Sequence, residues 1–355
     1  MSGQQETGQA VSETEQTAPE QAPDETSSGH GGGRSALLQG SMGRNAGLVL
    51  ALLALGAVGY ITAGDRFLNV DNFMTIFRAA AVIGVLSIGM TFVITGGGID
   101  LSVGSVMGLS TVWASTLATQ TMAEDTHWIV MVLTALAVGT AAGLVNGVLI
   151  AYGKVVAFIA TLAMMVAARG LAEMISNRRT QIVEVDGFLD FFRADVLGVP
   201  VLVWMFALVA VVGWVLLNRT TFGRRTVAVG GNPEAARLAG IKVQRHTMYL
   251  YGLAGFTAGI AAVMMLARTT AGTSTNGLYY ELDAIAAVVV GGTLLAGGRG
   301  TIVGTVFGVL IFSILRNVFT QNNMSISAQA VAQGVIIVVA VLLQQQFAER
   351  SKRKA

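Results

Sequence analysis

The chain has 355 residues, of which 53% are hydrophobic and 12% are charged, with a formal net charge of +2 and no cysteine. Soluble globular proteins carry about 25% charged residues, so the composition excludes an ordinary water-soluble domain. The small net charge gives no reason to expect nucleic acid as a partner. The lack of cysteine excludes disulfides, thiol catalysis and thiolate metal sites.

Residues 1–44 differ in kind from the rest of the chain. They are rich in acidic side chains, Pro, Ser and Gln, and they include a glycine tract that contains His30. Such a segment buries too little apolar surface to offset its conformational entropy. The sequence therefore predicts a disordered acidic tail.

Residues 45–346 contain repeated apolar runs close to the ~20 residues that span a hydrocarbon core ~30 Å thick. The predicted spans are 47–63, 75–95, 103–120, 129–150, 156–175, 200–217, 247–267, 282–296, 301–319 and 328–346. Glycine is abundant, with 44 residues, which fits close contact between helices in a membrane. We predict an all-α polytopic membrane protein with about ten transmembrane helices, followed by a basic tail at 347–355.

The distribution of positive charge predicts the orientation in the membrane. An even number of spans places both ends of the chain on one side, and that side carries the larger share of Lys and Arg, above all in the loop 218–246. The positive-inside rule then predicts cytoplasmic N- and C-termini. On the opposite side, the loop 176–199 carries several phenylalanines and is predicted to be a re-entrant or amphipathic segment.

An internal repeat is visible when residues 97–108 are set above residues 297–308. The recurring glycines are Gly97, Gly98 and Gly104 in the first copy and Gly297, Gly298 and Gly304 in the second. The spans around them would point the same way, which predicts a parallel repeat about an axis near the membrane normal, a construction that transporters use. Chance alignment of glycine-rich apolar sequence is the alternative. These glycines are candidates for helix packing or for lining a conduit.

Asp100 is the acidic residue nearest to the membrane interior, and Ser102 follows it closely. A charge at membrane depth is costly unless it is satisfied, so such a residue is a functional candidate. The competing and favoured interpretation is structural, because Asp and Ser at the start of a helix accept free backbone N–H groups.

The sequence offers no catalytic residue and no metal site. Glu173 follows Arg169 by four residues, the spacing of an ion pair on one helix. The histidines His30, His127 and His246 are placed in the tail or in loops, where nothing pairs them. The chain also lacks the P-loop pattern that cradles ATP phosphates, so a partner has to hydrolyse any ATP.

The loop 218–246 contains a compact helix signal at residues 232–240. Asn232 is a plausible N-cap before Pro233, and Glu234 stands where the helix dipole favours an acid. Ala235 and Ala236 continue the helix, which Gly240 ends. A short helix with small side chains is therefore predicted to project on the cytoplasmic side, suited to docking into the groove of a partner.

Several motifs resemble those of known importer permeases. Glu234-Ala235-Ala236 with Gly240 resembles the loop by which permeases of ATP-binding-cassette importers dock onto their ATPase. Residues 95–105, 146–152, 158–162, 222–224 and 280–300 closely resemble motifs of the ribose/xylose/arabinose/galactose permease family. The resemblance covers about residues 45–346 and leaves out only the tails.

The resemblance implies a transport subunit, not an enzyme, that translocates a monosaccharide or similar polyol. It implies three protein partners: an ATP-binding-cassette subunit that holds the ATP and Mg, an extracytoplasmic sugar-binding protein, and a second permease copy in a homodimer. No cofactor is expected in this chain. The alternative is an ion-coupled secondary transporter of small polar solutes. It would need acids or cation sites within the membrane, where this sequence offers only Asp100.

Overall fold

The computed structural model describes residues 41–336, together with residues 338 and 342. Most of the predicted acidic tail and all of the basic tail at 347–355 lie outside the described residues. The first helix begins at Ser41, so residues 41–44, which were assigned to the tail, are helical instead. This part of the boundary prediction is wrong because the apolar helix extends past its hydrophobic stretch toward the N-terminus.

Helices make up nearly all of the regular structure in the described residues. In chain order they are α1 Ser41–Ala63, α2 Asp65–Leu68, α3 Val70–Thr95, α4 Val103–Ala114, α5 Leu117–Asp125, α6 Ile129–Ala151, α7 Ala157–Ser176, α8 Asp186–Arg193, α9 Val201–Arg219, α10 Thr221–Gly231, α11 Pro233–Leu238, α12 Val243–Thr269, α13 Tyr280–Val290, α14 Ile302–Gln321 and α15 Ile326–Ile336. Two short antiparallel pairs join β1 Gln181–Ile182 to β4 Ala271–Gly272, and β2 Asp195–Val196 to β3 Val199–Pro200.

Seven helices in the described residues are long and apolar enough to cross a membrane, and each coincides with one predicted span. They are α1, α3, α6, α7, α9, α12 and α14. The third predicted span, 103–120, is broken instead into α4 and α5. Thr116 causes the break, because its hydroxyl accepts the N–H of Thr119 at 3.3 Å and so caps a new helix.

The eighth and tenth predicted spans also differ from full-length helices. α13 has 11 residues, about half of the ~20 that cross a bilayer. The chain that follows it, residues 291–301, is not helical. Gly292 follows α13 with a φ of +90°, a conformation that glycine adopts at low cost. The tenth span overlaps α15, and its remainder lies largely outside the described residues. The prediction of about ten transmembrane helices is therefore not confirmed.

α3 and α12 lie at the centre of the bundle. The apolar windows of both helices are 83% buried, against 17% for α1 and 22% for α7 and α9. α12 packs against α6 through paired glycines. A Cβ atom on Gly143 would lie 2.9 Å from the Cα of Gly255, and one on Gly139 would lie 3.0 Å from the Cα of Gly259. The two backbones are thus in direct contact, as small residues allow in membrane helices.

The turns that carry the predicted repeat lie beside one another. One turn joins α3 to α4 and contains Gly97 with a φ of +85°, and the other joins α13 to α14 and contains Gly297 with a φ of +84°. The helices on either side of the turns differ, however. In the first copy a long helix precedes the turn and a short one follows it, since α3 has 26 residues and α4 has 12. In the second copy the short helix comes first, since α13 has 11 residues and α14 has 20. The two glycine turns are alike, but the parallel repeat of whole spans stays a prediction.

The loop 176–199 contains the amphipathic segment that its phenylalanines predict. It forms α8, in which Phe188 and Phe192 are buried. Phe191 stays partly exposed and stacks on Trp128 with ring centroids 5.0 Å apart. The β1–β4 pair then ties this loop to the segment that follows α12.

The short helix α13 is held by an ion pair whose carboxylate is buried and whose arginine is partly exposed. Arg316 of α14 donates to Asp283 at 2.6 Å, and the Asp283 side chain is 3% exposed. Gln333 of α15 donates to the same carboxylate. One acid at the start of α13 thus joins three helices, and its location in the first turn agrees with the preference of helix dipoles for acids.

The glycine contact between α6 and α12 predicts the effect of one substitution. Gly143→Leu should lower the free energy of unfolding by about 1–3 kcal/mol, because the added side chain would overlap the α12 backbone. The control is Gly56→Leu on α1, where nothing lies within 4 Å of an added Cβ. The melting temperature of each purified variant in detergent measures the difference, and equal values for both variants would contradict the packing described.

Candidate coupling and translocation site

α10 and α11 form one end of the bundle, which we call the α11 end. α10 is attached to the central helices by polar and aromatic contacts. Thr226 and His246 form a buried hydrogen bond at 2.9 Å, and the Phe222 ring lies 6.0 Å from Phe92 of α3. His246 therefore lies in the first turn of α12 and packs against Phe222, so its predicted loop position is wrong.

α11 begins as its sequence predicts. The Asn232 side chain accepts the N–H of Ala235 at 3.0 Å, and Pro233 occupies the first helical turn. Proline suits this position because the N–H that it lacks would have no partner within the helix. The sequence thereby fixes the start of a helix of only 6 residues.

Gly240 ends α11 in the left-handed region, with a φ of +83°. The N–H of Ile241 bonds back to the carbonyl of Ala236 at 3.0 Å, and the N–H of Gly240 bonds to that of Arg237 at 3.0 Å. These two hydrogen bonds to the last turn form a C-terminal cap. The cap needs a left-handed residue, a conformation that glycine adopts at low cost. A β-branched residue at position 240 would be strained, whatever the free space around it.

The two faces of α11 differ in exposure. Ala236 is buried against the bundle, so it cannot be part of a surface for a partner. Ala235 is exposed, and Leu238 has 83% of its surface exposed. Glu234 and Arg237 pair with each other at 2.8 Å beside that apolar surface.

Leu238 is an exposed residue of α11 that the sequence analysis did not single out. The signal was present in the sequence, since Leu238 is the one large apolar side chain in a capped helix of six residues. An exposed leucine on such a short helix provides a protruding apolar contact at the α11 end.

Five glycines from three segments meet directly behind α11, and we call them the glycine junction: Gly97, Gly230, Gly231, Gly297 and Gly298. The N–H of Gly298 donates to the carbonyl of Thr95 at 2.9 Å. A Cβ on Gly230 would lie 2.7 Å from the nitrogen of Gly298, and one on Gly297 would lie 2.8 Å from the Cα of Gly97. The end of α10 is therefore in backbone contact with both glycine turns.

Asp100 and Ser102 form a buried polar chain with Asn146. The N–H and the hydroxyl of Ser102 donate to the Asp100 carboxylate at 2.9 and 2.6 Å. Asn146 of α6 in turn donates to the Ser102 hydroxyl at 2.9 Å. The Ser102 side chain caps no N–H group of α4. The Asp100 carboxylate instead accepts the N–H of Ser102, the residue just before the helix, so Asp100 has the capping role.

The remaining glycine candidates lie at helix contacts. A Cβ on Gly104 would meet the Glu281 side chain and the carbonyl of Gly277, and one on Gly304 would meet the carbonyl of Gly291. Gly98 lies against Tyr251 of α12, whose ring carbon Cζ would be 3.3 Å from an added Cβ. The structure thus places all three at close packing contacts.

Arg169 is bound differently from the prediction. Its guanidinium donates to the carbonyl of Asn276 at 3.0 Å and also to that of Ser274. Glu173 pairs with Arg178 at 2.9 Å, so the predicted ion pair between Arg169 and Glu173 is wrong. The backbone carbonyls compete successfully for Arg169 because the segment that follows β4 folds back onto α7.

These features define a multi-pass membrane protein, with membrane-length helices around an apolar core, a buried polar chain, and a short exposed helix at one end. Among the described residues, no group of three or more His, Asp or Glu side chains is arranged to hold a metal ion. The geometry provides contacts that can transmit motion and polar groups that can face a solute.

Known proteins place the chain in a family. The model of the family described as "Branched-chain amino acid transport system / permease component" matches residues 72–341. The chain is 43% identical to the ribose import permease protein of Bacillus subtilis (strain 168) over 282 residues, which are 79% of this chain and 86% of that protein. It is 39% identical to the ribose import permease protein of Escherichia coli (strain K12) over 304 residues, or 84% and 92% of the two chains.

A third relative is the L-arabinose transport system permease protein of Escherichia coli (strain K12), 34% identical over 338 residues that cover 92% of this chain and 98% of that protein. No solved structure gives a significant match. The chain therefore belongs to this family of importer permeases, which confirms the resemblance seen in its motifs. It is a permease subunit of an ATP-binding-cassette importer and a transport subunit, not an enzyme.

The glycine junction predicts different effects for two adjacent substitutions. Gly230→Ala should reduce ATP-driven uptake at least about tenfold, because the new methyl group would push α10 away from both glycine turns at a cost above about 1.4 kcal/mol. Gly231→Ala is the matched control, since its Cβ would meet only the Cα of Gly298 at 3.9 Å. Uptake by vesicles containing the whole complex is the measurement. Equal uptake by the two variants would show that the contact does not matter.

Proposed function

We propose that the chain translocates a monosaccharide or similar polyol across a bacterial inner membrane, with the energy supplied by ATP that a partner subunit hydrolyses. The relatives named for ribose and L-arabinose support this substrate class. The observation that carries the proposal is α11, a capped and exposed helix whose base is in backbone contact with the glycine turns inside the bundle.

α11 is proposed as the helix that docks onto the ATP-binding-cassette subunit. Leu238 supplies an apolar contact, Ala235 lets the partner approach closely, and the exposed pair Glu234–Arg237 can exchange its internal ion pair for contacts with the partner. Short amphipathic helices bind grooves in this way. ATP and Mg would be held by that partner, because this sequence has no P-loop pattern.

The partner's motion can reach the translocation path through the glycine junction. α11 follows α10 with only Asn232 between them, and the end of α10 contacts the turns that precede α4 and α14. A displacement of α11 would therefore move both turns. An extracytoplasmic binding protein would deliver the sugar at the far end of the bundle.

A second permease copy is proposed as a homodimer partner. The windows of α6, α7 and α9 are only 22–28% buried, which leaves apolar surface for lipid and for another copy. The proposed orientation places the α11 end, with both termini, in the cytoplasm, because the basic segment 218–246 lies there. The parallel relation between the two glycine-turn regions also remains part of this proposal.

The geometry gives less support to an ion-coupled secondary transporter. That mechanism needs an acid in the membrane that can bind and release a cation. Asp100 is 1% exposed, and one of its oxygens already accepts two hydrogen bonds from Ser102. Its geometry is that of a structural group that fixes the turn before α4.

Two substitutions on α11 test the docking proposal. Leu238→Asp should weaken association with the ATPase about tenfold or more, because it puts a charge where docking would bury an apolar side chain. Gly240→Val should have a similar effect, since valine is strained at a φ of +83°. Co-purification of the ATPase and sugar-stimulated ATP hydrolysis measure the loss.

Leu117→Asp on α5 is the control for Leu238→Asp, because Leu117 is 81% exposed and lies outside α10 and α11. It should leave ATPase association unchanged. Should the purified chain alone move ribose down an ion gradient, without any ATPase, the importer mechanism is wrong and the secondary-transporter alternative holds.

The proposed orientation is tested by single cysteines in a chain that has none of its own. In cells that lack the ATPase subunit, a cysteine at exposed His127 should react with an impermeant maleimide while the cells are intact, whereas one at Leu238 should react only after permeabilisation. His246 would be a poor probe because it is buried. The reverse pattern would invert the topology, and equal labelling would show that the parity of spans between the sites is wrong.

A further inference from the structure

A groove lies beside α7, between that helix and the segment that leads into α13. Its volume is about 410 Å³, within the range of about 300–1,000 Å³ that small-molecule sites occupy. The exposed lining of the groove is mostly apolar, and a few polar and aromatic side chains interrupt it. Those used below are Ser105, Val166, Arg169, Tyr279 and Glu281.

Glu281 brings an unsatisfied carboxylate to this groove. The residue is 7% exposed, and its Oε2 atom is buried without a hydrogen-bond partner in the described part of the chain. Arg169 attracts it electrostatically, but no ion pair between the two residues forms. A buried carboxylate oxygen without a partner costs free energy, which a ligand that donates a hydrogen bond would offset.

Two charged groups of the groove make contact with lipid costly. Arg169 precedes the end of α7 by seven residues, which corresponds to about 10 Å along the helix axis, so its charge lies at membrane depth. An arginine and a carboxylate in contact with hydrocarbon would be costly. Yet α7 as a whole is open in a single chain, where its apolar window is only 22% buried. The carbonyls of Ser274 and Asn276 already accept hydrogen bonds from Arg169, so it is the unpartnered oxygen of Glu281 that favours water or a polar solute here.

Tyr279 occupies the mouth of the groove in an unusual backbone conformation. Its φ is +66°, which a bulky residue seldom adopts, and 63% of its surface is exposed. Such strain is found where a side chain must be held in a particular place. Here the strained residue places an aromatic ring in the same groove as Arg169 and Glu281. A sugar ring has an apolar face that can pack on an aromatic ring and hydroxyl groups that can bond to charged side chains.

We propose that this groove is a solute subsite on the translocation path, in which Glu281 and Arg169 bind the hydroxyl groups of a monosaccharide and Tyr279 contacts its ring. Glu281 accepts hydrogen bonds, and Arg169 donates with the N–H groups that the carbonyls of Ser274 and Asn276 leave over. The opposite charges of Arg169 and Glu281 favour a neutral polyol over an ion. This inference rests on the function proposed above and adds the residues that contact the sugar.

The first test asks whether the groove is aqueous and whether sugar occupies it. Val166→Cys and Val211→Cys are a matched pair, because the two valines are 66% and 60% exposed and both lie near the middle of long helices. In the complete complex, a charged methanethiosulfonate reagent should modify Val166→Cys and leave Val211→Cys unmodified. Ribose, added with its binding protein at ten times the Kd of ribose for the groove, should slow the modification of Val166→Cys about tenfold.

The second test measures contact with particular hydroxyl groups. Glu281→Gln should lower ribose uptake about 10–100-fold, the effect of weakening hydrogen bonds to a charged group. One deoxy analogue of ribose lacks the hydroxyl that Glu281 binds. For that analogue, the uptake rates of the Glu281→Gln complex and the unmodified complex should differ far less than they do for ribose. A purely structural role for Glu281 would lower the uptake of ribose and of all its deoxy analogues by the same factor.

The outcomes separate this inference from the proposed function. If Val166→Cys is as unreactive as Val211→Cys, the groove faces lipid and the subsite is wrong. The subsite is also wrong if ribose does not protect Val166→Cys from modification and Glu281→Gln lowers the uptake of ribose and all its deoxy analogues by the same factor. ATP-driven sugar uptake by the unmodified complex would still stand in that case. If the unmodified complex takes up no monosaccharide, both the proposed function and the subsite fall.

Discussion

The backbone contact at the glycine junction is the constraint on which the rest of the structure depends. Here the N–H of Gly298 meets the carbonyl of Thr95, and Gly230 fits against both with no room for a side chain. Three segments that are far apart in the sequence thereby become one mechanical unit. Because the contact is backbone on backbone, no rotamer change can absorb a small displacement, and α10 and the two glycine turns have to move together.

The same use of glycine explains how the central helices pack. In lipid the hydrophobic effect does not drive helices together, so close backbone approach has to supply the attraction. Gly143 and Gly255 provide it between α6 and α12, and α12 then carries Tyr251 toward the turn after α3. Polar side chains fill the spaces that remain, as in the chain from Asn146 to Asp100. The interior is consequently both tightly packed and polar where the turns enter it.

The sequence predicted the features that depend on local pattern. Seven long helices follow from hydropathy alone, and Asn232, Pro233 and Gly240 set the limits of α11 through capping rules that involve only neighbours. The break at Thr116 was missed because the apolar composition continues through it. The partners of Arg169 were missed because they lie 105 and 107 residues away and are backbone carbonyls, which no side-chain pattern reveals. The exposure of Leu238 likewise depends on which face of α11 the bundle covers.

Residues 291–301 follow α13 without forming a helix, and this has a consequence for local stability. Between Leu294 and Arg299, the described backbone makes one hydrogen bond to another element, from Gly298 to Thr95. A helical crossing would have to break a ladder of hydrogen bonds to rearrange, whereas this stretch has few to lose. Gly297 and Gly298 are held by the glycine junction, but the rest of the stretch should open at a free energy well below that of global unfolding. The amides of that remainder would then exchange with solvent while the long helices remain protected. The chain can thus rearrange its backbone at this point without melting a helix.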